Sequence, residues 1–323
     1  MRSSSTWRLV GLAAGCLVAA CSPEPFTVHE PEAFHRVVPD DARVRRLAGG
    51  MPYVEGPVWL PDEGALVFSA MQADELKRWR PGTGLDVFRA GAGRPNGNVV
   101  DATGHLITCE HATRRVSRTL ADGTVVSLVE RYEGQRFSSP NDVAVHPDGS
   151  VWFTDPPYGL TDEEPELEGN FVFRCDPTSG ELRVVLRALE LPNGIAFAPG
   201  GETVYVTDSG TARSVLAFEV VAGAVDPARG RELHRLPGDG SRGEPDGLAV
   251  ATDGTLFVAV GDGLDVLTPA GTWLGTIRVS GADRPVRNVC FGGPDGRTLF
   301  LTAGSALCAV DVALQGQGRF RPR

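Results

Sequence analysis

The sequence predicts an all-β fold, a six-bladed β-propeller, on three observations. One strand–turn–strand motif returns six times, its copies stand roughly 40–50 residues apart, and 40 glycines and 24 prolines punctuate the 323 residues in place of long helical patterns. The motif is clearest from Asn141 to Asp155. There an Asn behind Ser139-Pro140 leads a short apolar strand, a Pro147-Asp148-Gly149 turn and a second apolar strand ending Thr154-Asp155. Pro192-Asn193-Gly194 through Thr207-Asp208 is a close copy, and Pro245-Asp246-Gly247 through Val258 is another.

Taken in order, residues 1–21 read as a targeting segment outside the fold. Arg2 and Arg8 precede an apolar run that is short for a membrane span and ends Leu17-Val18-Ala19-Ala20-Cys21. This resembles a bacterial lipoprotein box, which implies cleavage before Cys21 and lipidation there, with Ser22 pointing to the outer membrane of the cell envelope; an ordinary secretory peptide with an incidental cysteine is the alternative. Residues 22–40 read as a polar tether, 41–315 as the propeller and 316–323 as a C-terminal tail. The alternating stretch Val44 to Leu47 is placed to complete the last blade and close the ring, which removes exposed sheet edges.

The six motifs then begin at Glu55-Gly56, Asn96-Gly97, Asn141-Asp142, Asn193-Gly194, Asp246-Gly247 and Arg287-Asn288. Further β-like runs follow each, such as Phe171-Val172-Phe173 and Val184-Val185-Leu186, giving about four strands per repeat. Cys109, Cys175, Cys290 and Cys308 lie in or beside apolar strands, and both a disulfide (Cys290 with Cys308 shares one repeat) and buried free thiols are open. A net charge of −10 argues against nucleic acid as a partner.

Inner strands of a propeller line its axis, so Glu55, Asn96, Asn141, Asn193, Asp246 and Arg287 converge. Asn or Asp before Gly is a common turn device. Five oxygen-bearing side chains in six equivalent positions, Glu55 among them, point instead to a site. Two carboxylates and several amides make a hard, all-oxygen central metal site suited to Ca²⁺ first, with Mn²⁺, Mg²⁺ or Zn²⁺ as alternatives. Unneutralised, Glu55 and Asp246 would raise each other's pKa. A cation with open positions polarises an ester carbonyl and acidifies water, with Asp246 as general base.

Together Glu55-Gly56-Pro57, Cys109-Glu110-His111, Ser139-Pro140-Asn141-Asp142, Phe153-Thr154-Asp155-Pro156-Pro157-Tyr158-Gly159, Leu191-Pro192-Asn193-Gly194 and Pro245-Asp246-Gly247 resemble the gluconolactonase family, the group that includes senescence marker protein and luciferin-regenerating enzyme. The resemblance spans roughly residues 45–312. It implies hydrolysis of a sugar lactone or related ester, with Glu55, Asn193 and Asp246 as metal ligands, Asn141 as ligand or substrate contact, and Asp246 with Asn193 as the catalytic pair. Arg287 departs from the small polar residue expected there.

Asn96, Asn141, His111 and Tyr158 are the expected substrate-contacting residues. For His111 a core role stands beside the substrate contact, and its intrinsic pKa suits acid–base work near neutral pH. Tyr158 is a lid residue or a turn stiffener. Asp155 and Asp208 read as structural turn carboxylates, and Arg114 with Arg115 as a solvated pair. No Gly-x-Ser-x-Gly elbow is present for a serine nucleophile. Phosphoester hydrolysis on the same site and a non-catalytic binding propeller are the rival readings. The expected partner is a small lactone or ester, and the membrane is engaged only through the lipid on Cys21.

Overall fold

The computed structural model describes residues 25–280, 283–318 and 320. The lipidation expected at Cys21 lies outside the described residues. Six antiparallel sheets stand around one axis, each entered by its innermost strand. Blade 1 is Val54–Leu60, Ala65–Ala70, Glu75–Arg80 and Gly84–Ala90; blade 2 is Pro95–Val100, Leu106–Glu110, Arg115–Thr119 and Val125–Val129. Blade 3 is Val143–Val145, Val151–Asp155, Phe171–Cys175 and Leu182–Leu186; blade 4 is Pro192–Phe197, Thr203–Asp208, Ser214–Val221 and Arg231–Arg235. Blade 5 is Leu248–Val250, Leu256–Val260, Gly263–Leu267 and Trp273–Arg278; blade 6 is Val286–Gly292, Thr298–Ala303 and Ala306–Asp311, completed by Arg45–Gly49.

That last pairing closes the ring as expected, with Arg45 opposite Ala309 and Gly49 opposite Ala306. Between blades the core is aromatic and aliphatic. Phe68, Phe153, Phe173, Trp152 and Phe257 are fully buried, and a buried side chain of this size contributes about 1.5–3 kcal/mol of apolar transfer.

The inner strands share a defect that builds the site. In blades 1, 2, 4 and 6 the register slips at the motif's first residues, between Glu55 and Val58, Pro95 and Asn98, Pro192 and Ile195, and Val286 and Asn288. Such β-bulges re-aim a side chain without ending the strand. In blades 3 and 5 the described inner strand begins just after the motif residue. Every repeat thus frees one side chain from the pleat at the same height.

The tether expected over 22–40 is not what the chain builds from residue 26 on. Phe26–Val28 adds a fifth strand to the outside of blade 5, and the helix Pro31–Val37 packs behind it. Phe34 and Val38 are wholly buried. Apolar residues at 34, 37 and 38 match a helix face, which overrides the polar composition. The tail is likewise engaged: Gln317 Nε2 donates to the carbonyls of Phe197 (2.9 Å) and Val250 (3.3 Å). The four cysteines are free thiols, so the disulfide alternative is not realised among the described residues.

Candidate active site

The six motif residues form one ring, and the preceding blade fixes the backbone of five of them. Ser69 Oγ donates to Asn96 O (2.5 Å), Gly97 N to Asn141 O (2.8 Å), Thr154 Oγ1 to Asn193 O (2.6 Å), Thr207 Oγ1 to Asp246 O (2.8 Å) and Gly247 N to Arg287 O (2.7 Å). With each carbonyl held by its neighbour, the side chain is left to the axis. Asp155 accepts from Ser138 N (2.8 Å) and Ser139 N (2.7 Å), and Asp208 from Glu190 N (2.9 Å) and Leu191 N (2.8 Å). These turn carboxylates, read correctly as structural, therefore hold the loops that deliver Asn141 and Asn193.

The ring divides into an amide half and a charged half. Asn96 Nδ2 donates to Asn141 Oδ1 (2.6 Å), Asn141 Nδ2 to Asn193 Oδ1 (2.7 Å), Asn193 Nδ2 to Ser209 Oγ (3.0 Å), and the Ser209 hydroxyl to Pro245 O (2.7 Å). Each amide is fixed in one orientation, and each accepting oxygen keeps a lone pair free. On the other side stand Asp246, Arg287 and Glu55. Burial and the neighbouring Glu55 carboxylate hold the Asp246 carboxyl well above its usual range. Glu55 is pushed up to about 7, by burial first, with Arg287 acting against the shift.

His111 is brought to the ring as a neutral imidazole. It is buried, its Nε2 lies 3.1 Å from Asn96 Nδ2, and burial with the nearby Arg94 lowers its pKa to about 4. The neutral ring accepts from the Asn96 amide, which places its proton on Nδ1, an atom without a partner. Gly159 lies directly over it: a Cβ there would stand 2.7 Å from the imidazole. The loop that covers His111 carries Tyr158, 41% exposed, its phenol beside Ser209 and raised in pKa by burial.

Arg114 corrects an expectation. It is buried, with Nη1 on Glu163 (2.7 Å) and Nε on the Phe137 carbonyl, and so anchors that loop rather than lying in solvent. Ser209 escaped the sequence reading, although a signal existed. It follows the second strand of blade 4 as His111 follows that of blade 2, and each binds its own blade's ring asparagine.

Beneath the ring the channel widens into a cavity of about 590 Å³ with apolar walls, among them Val58, Ile195, Leu248 and Val289. Asp142, Asn98 and Asn288 line it next to the ring, and Gln317 and Phe320 line it where the inner strands end. Its lining is mixed, with Asp101, Asp142 and His146 among the polar groups, and the ring carboxylates Glu55 and Asp246 stand outside it, toward the mouth flanked by Tyr53 and Tyr158.

The donor set fits a hard cation. Two carboxylates of like charge, Glu55 buried and Asp246 half-buried, face amide oxygens with spare lone pairs, and Arg287 offsets only one of the two negative charges. Among the described residues no group of three or more His, Cys, Asp or Glu side chains is arranged to hold a metal ion, so an ion at the ring would draw on amides beside Glu55 and Asp246.

Residues 53–305 match the model of the SMP-30/gluconolactonase/LRE-like region. The chain belongs to this family. A gluconolactonase of Zymomonas mobilis subsp. mobilis is 32% identical over 82% of this chain and 80% of its own length. Pentonolactonase XacC of Haloferax volcanii is 30% identical over 83% and 93%. The solved structure of a gluconolactonase from Xanthomonas campestris superposes with a TM-score of 0.82 at 33% identity, covering 90% of this chain and 95% of that one. All six ring residues lie within the span matched to the SMP-30/gluconolactonase/LRE-like family.

Proposed function

We propose that the protein hydrolyses a sugar lactone at the ring, with one divalent cation, Ca²⁺ first, held by Glu55, Asn193 and Asp246 and by Asn141 from the amide half. The observation that carries this reading is the division of the ring, in which two carboxyls held above their usual range stand opposite a fixed row of amides. The family's gluconolactonase and pentonolactonase relatives support a small lactone as substrate. A bound divalent cation supplies electrophilic polarisation of an ester carbonyl and acidifies water.

The chain's own residues do the rest. Asp246, only partly engaged by the cation, takes the proton of the attacking water and returns it to the ring oxygen as the acyl C–O bond breaks, and Asn141 and Asn96 orient the sugar ring through amide hydrogen bonds. His111 holds the Asn96 amide, and Tyr158 forms the wall of the mouth. Ring opening releases a hydroxy acid. The test is turnover of glucono-1,5-lactone by the purified protein, with chelator and Ca²⁺ add-back. Asp246→Asn is expected to lower kcat by about 10²- to 10⁴-fold, the range of a general base. Glu55→Gln is expected to abolish the response to Ca²⁺, and unchanged turnover in both variants overturns the assignment.

The leader reading adds a place of work, a lipid on Cys21 anchoring the propeller in the bacterial cell envelope. Cys21→Ser is expected to move the protein from the membrane to the soluble fraction.

A further inference from the structure

We propose that Arg287, stacked on Tyr53 at the charged half of the ring, is a substrate-recognition residue that selects lactones carrying an acidic substituent. The proposal rests on the lactonase reading and names a substrate class for it. Arg287 occupies the sixth ring position, where the other five hold oxygen donors. Its backbone is fixed like theirs, with Gly247 N donating to its carbonyl at 2.7 Å. The next residue, Asn288, fills the space beside Gly247, where any Cβ would overlap its side chain. The Arg287 side chain therefore leaves toward the axis by construction.

The guanidinium carbon stands 3.9 Å from the centroid of the Tyr53 ring. A stacked guanidinium spends its face on the aromatic ring and keeps its N–H donors in the plane, where a planar anion receives them in pairs. One of those donors, Nε, is buried without a hydrogen-bond partner. Tyr53 is 38% exposed and precedes Glu55 by two residues, so the stack sits at the rim, outside the carboxylates.

Counter-charge for Glu55 and Asp246 does not account for Arg287 once the cation is bound. Two carboxylates and one divalent ion balance, and the Arg287 Nε still has no hydrogen-bond partner. Of the other acids that act on Asp246, Asp142 lines the cavity beneath the ring, where its Oδ2 accepts from Ile195 N at 3.1 Å, and Glu244 is exposed to solvent. Across the ring stand amides, which carry no charge. A neutral sugar lactone offers the open guanidinium donor no anion; a lactone bearing a carboxylate, sulfonate or phosphate away from the reacting carbonyl does.

The test compares D-glucaro-1,4-lactone with D-glucono-1,4-lactone, which differ by a carboxylate in place of the terminal hydroxymethyl group. The cation-loaded protein is expected to prefer the acid-bearing lactone in kcat/KM. Arg287→Met is expected to lower that preference by about 10- to 100-fold, the range of a charged hydrogen bond, chiefly through KM. Arg287→Lys, which keeps the charge and loses the fork, is expected to fall between the two. Melting temperatures of the variants separate loss of recognition from loss of fold.

A preference unchanged in Arg287→Met, or an equal fall on both lactones, overturns the proposal. Calorimetric binding of D-glucarate against D-gluconate reads Arg287 independently of turnover. If neither lactone is hydrolysed but Arg287→Met selectively weakens glucarate, the lactonase reading falls and the recognition role stands. Equal binding of the two acids by the unaltered protein sinks the recognition role alone.

Discussion

Glu55 and Asp246 define the chemistry at the scale of single residues. Both carboxyls are held above their usual range, Glu55 at about 7, because burial favours the neutral form, with the Glu55 charge adding to the shift at Asp246 and the Asp142 charge to that at Glu55. The sign of the pH dependence follows. A carboxyl whose folded pKa is raised binds more protons in the native state, so the cation-free protein is expected to lose stability as pH rises from about 4.5 through about 7. Cation binding reverses the balance, since ligands must deprotonate, so affinity for Ca²⁺ is expected to rise about tenfold per pH unit below pH 7 for each proton released. Calorimetry in buffers of different ionisation enthalpy counts those protons, and melting curves in chelator check the stability limb. His111 offers the contrasting case. Held near 4 by burial and Arg94, it is neutral across the working range. His111→Gln is expected to lower kcat/KM while leaving the shape of the pH–rate profile between about pH 5 and 8 unchanged, and loss of a limb in that window would reassign His111 as an acid or base.

The bulged inner strand is the element that turns a repeat into a site. Gly56 adopts φ +45°, and a Cβ there would overlap the Asn96 carbonyl of the next blade. Gly56→Ala is therefore expected to cost about 2–5 kcal/mol from backbone strain and overpacking together, and to weaken cation binding by displacing Glu55. Chemical denaturation and a Ca²⁺ titration of the same variant check both. The hydroxyl braces are separable from the bulge. Thr207→Val leaves the Asp246 carbonyl without its 2.8 Å donor and is expected to cost about 1–3 kcal/mol. The ring column was legible in the sequence because a repeat maps one position onto one height of the axis. The wiring was not, since the direction of Asn96, Asn141 and Asn193 depends on Ser209, and Ser209 is anchored by Pro245 in the next blade. Arg114 was misread for the same reason, its partner Glu163 lying 49 positions away.

At the scale of the whole molecule, the chain ends decide whether the ring stays closed. Arg45–Gly49 supplies the outer strand of blade 6, and Arg45 pairs with Asp311 at 2.6 Å across the seam. Ahead of it, the strand and helix of residues 26–37 clamp blade 5, and Val37 O accepts from Ala313 N, tying the first described segment to the last. Phe34 is the centre of this clamp. It is fully buried, 5.6 Å from the Phe26 ring, and lies against Gly275, where a Cβ would stand 2.7 Å from the phenyl ring. The clamp touches the outer wall of blade 5, whereas the ring residues line its inner end. Phe34→Ala is accordingly expected to cost about 3–5 kcal/mol by leaving a cavity at the seam, while kcat/KM of the folded fraction stays within about twofold, because sites without shared contacts act additively. Deleting residues through Gly49 instead removes a whole strand, exposes the paired edge of Ala306–Asp311 and is expected to yield aggregated protein. Denaturation of Phe34→Ala beside its lactone turnover distinguishes the two roles. A loss of activity that matches the loss of stability, at a temperature where the variant is fully folded, would mean that the clamp reaches the ring through blade 5 and that the outer wall belongs to the site.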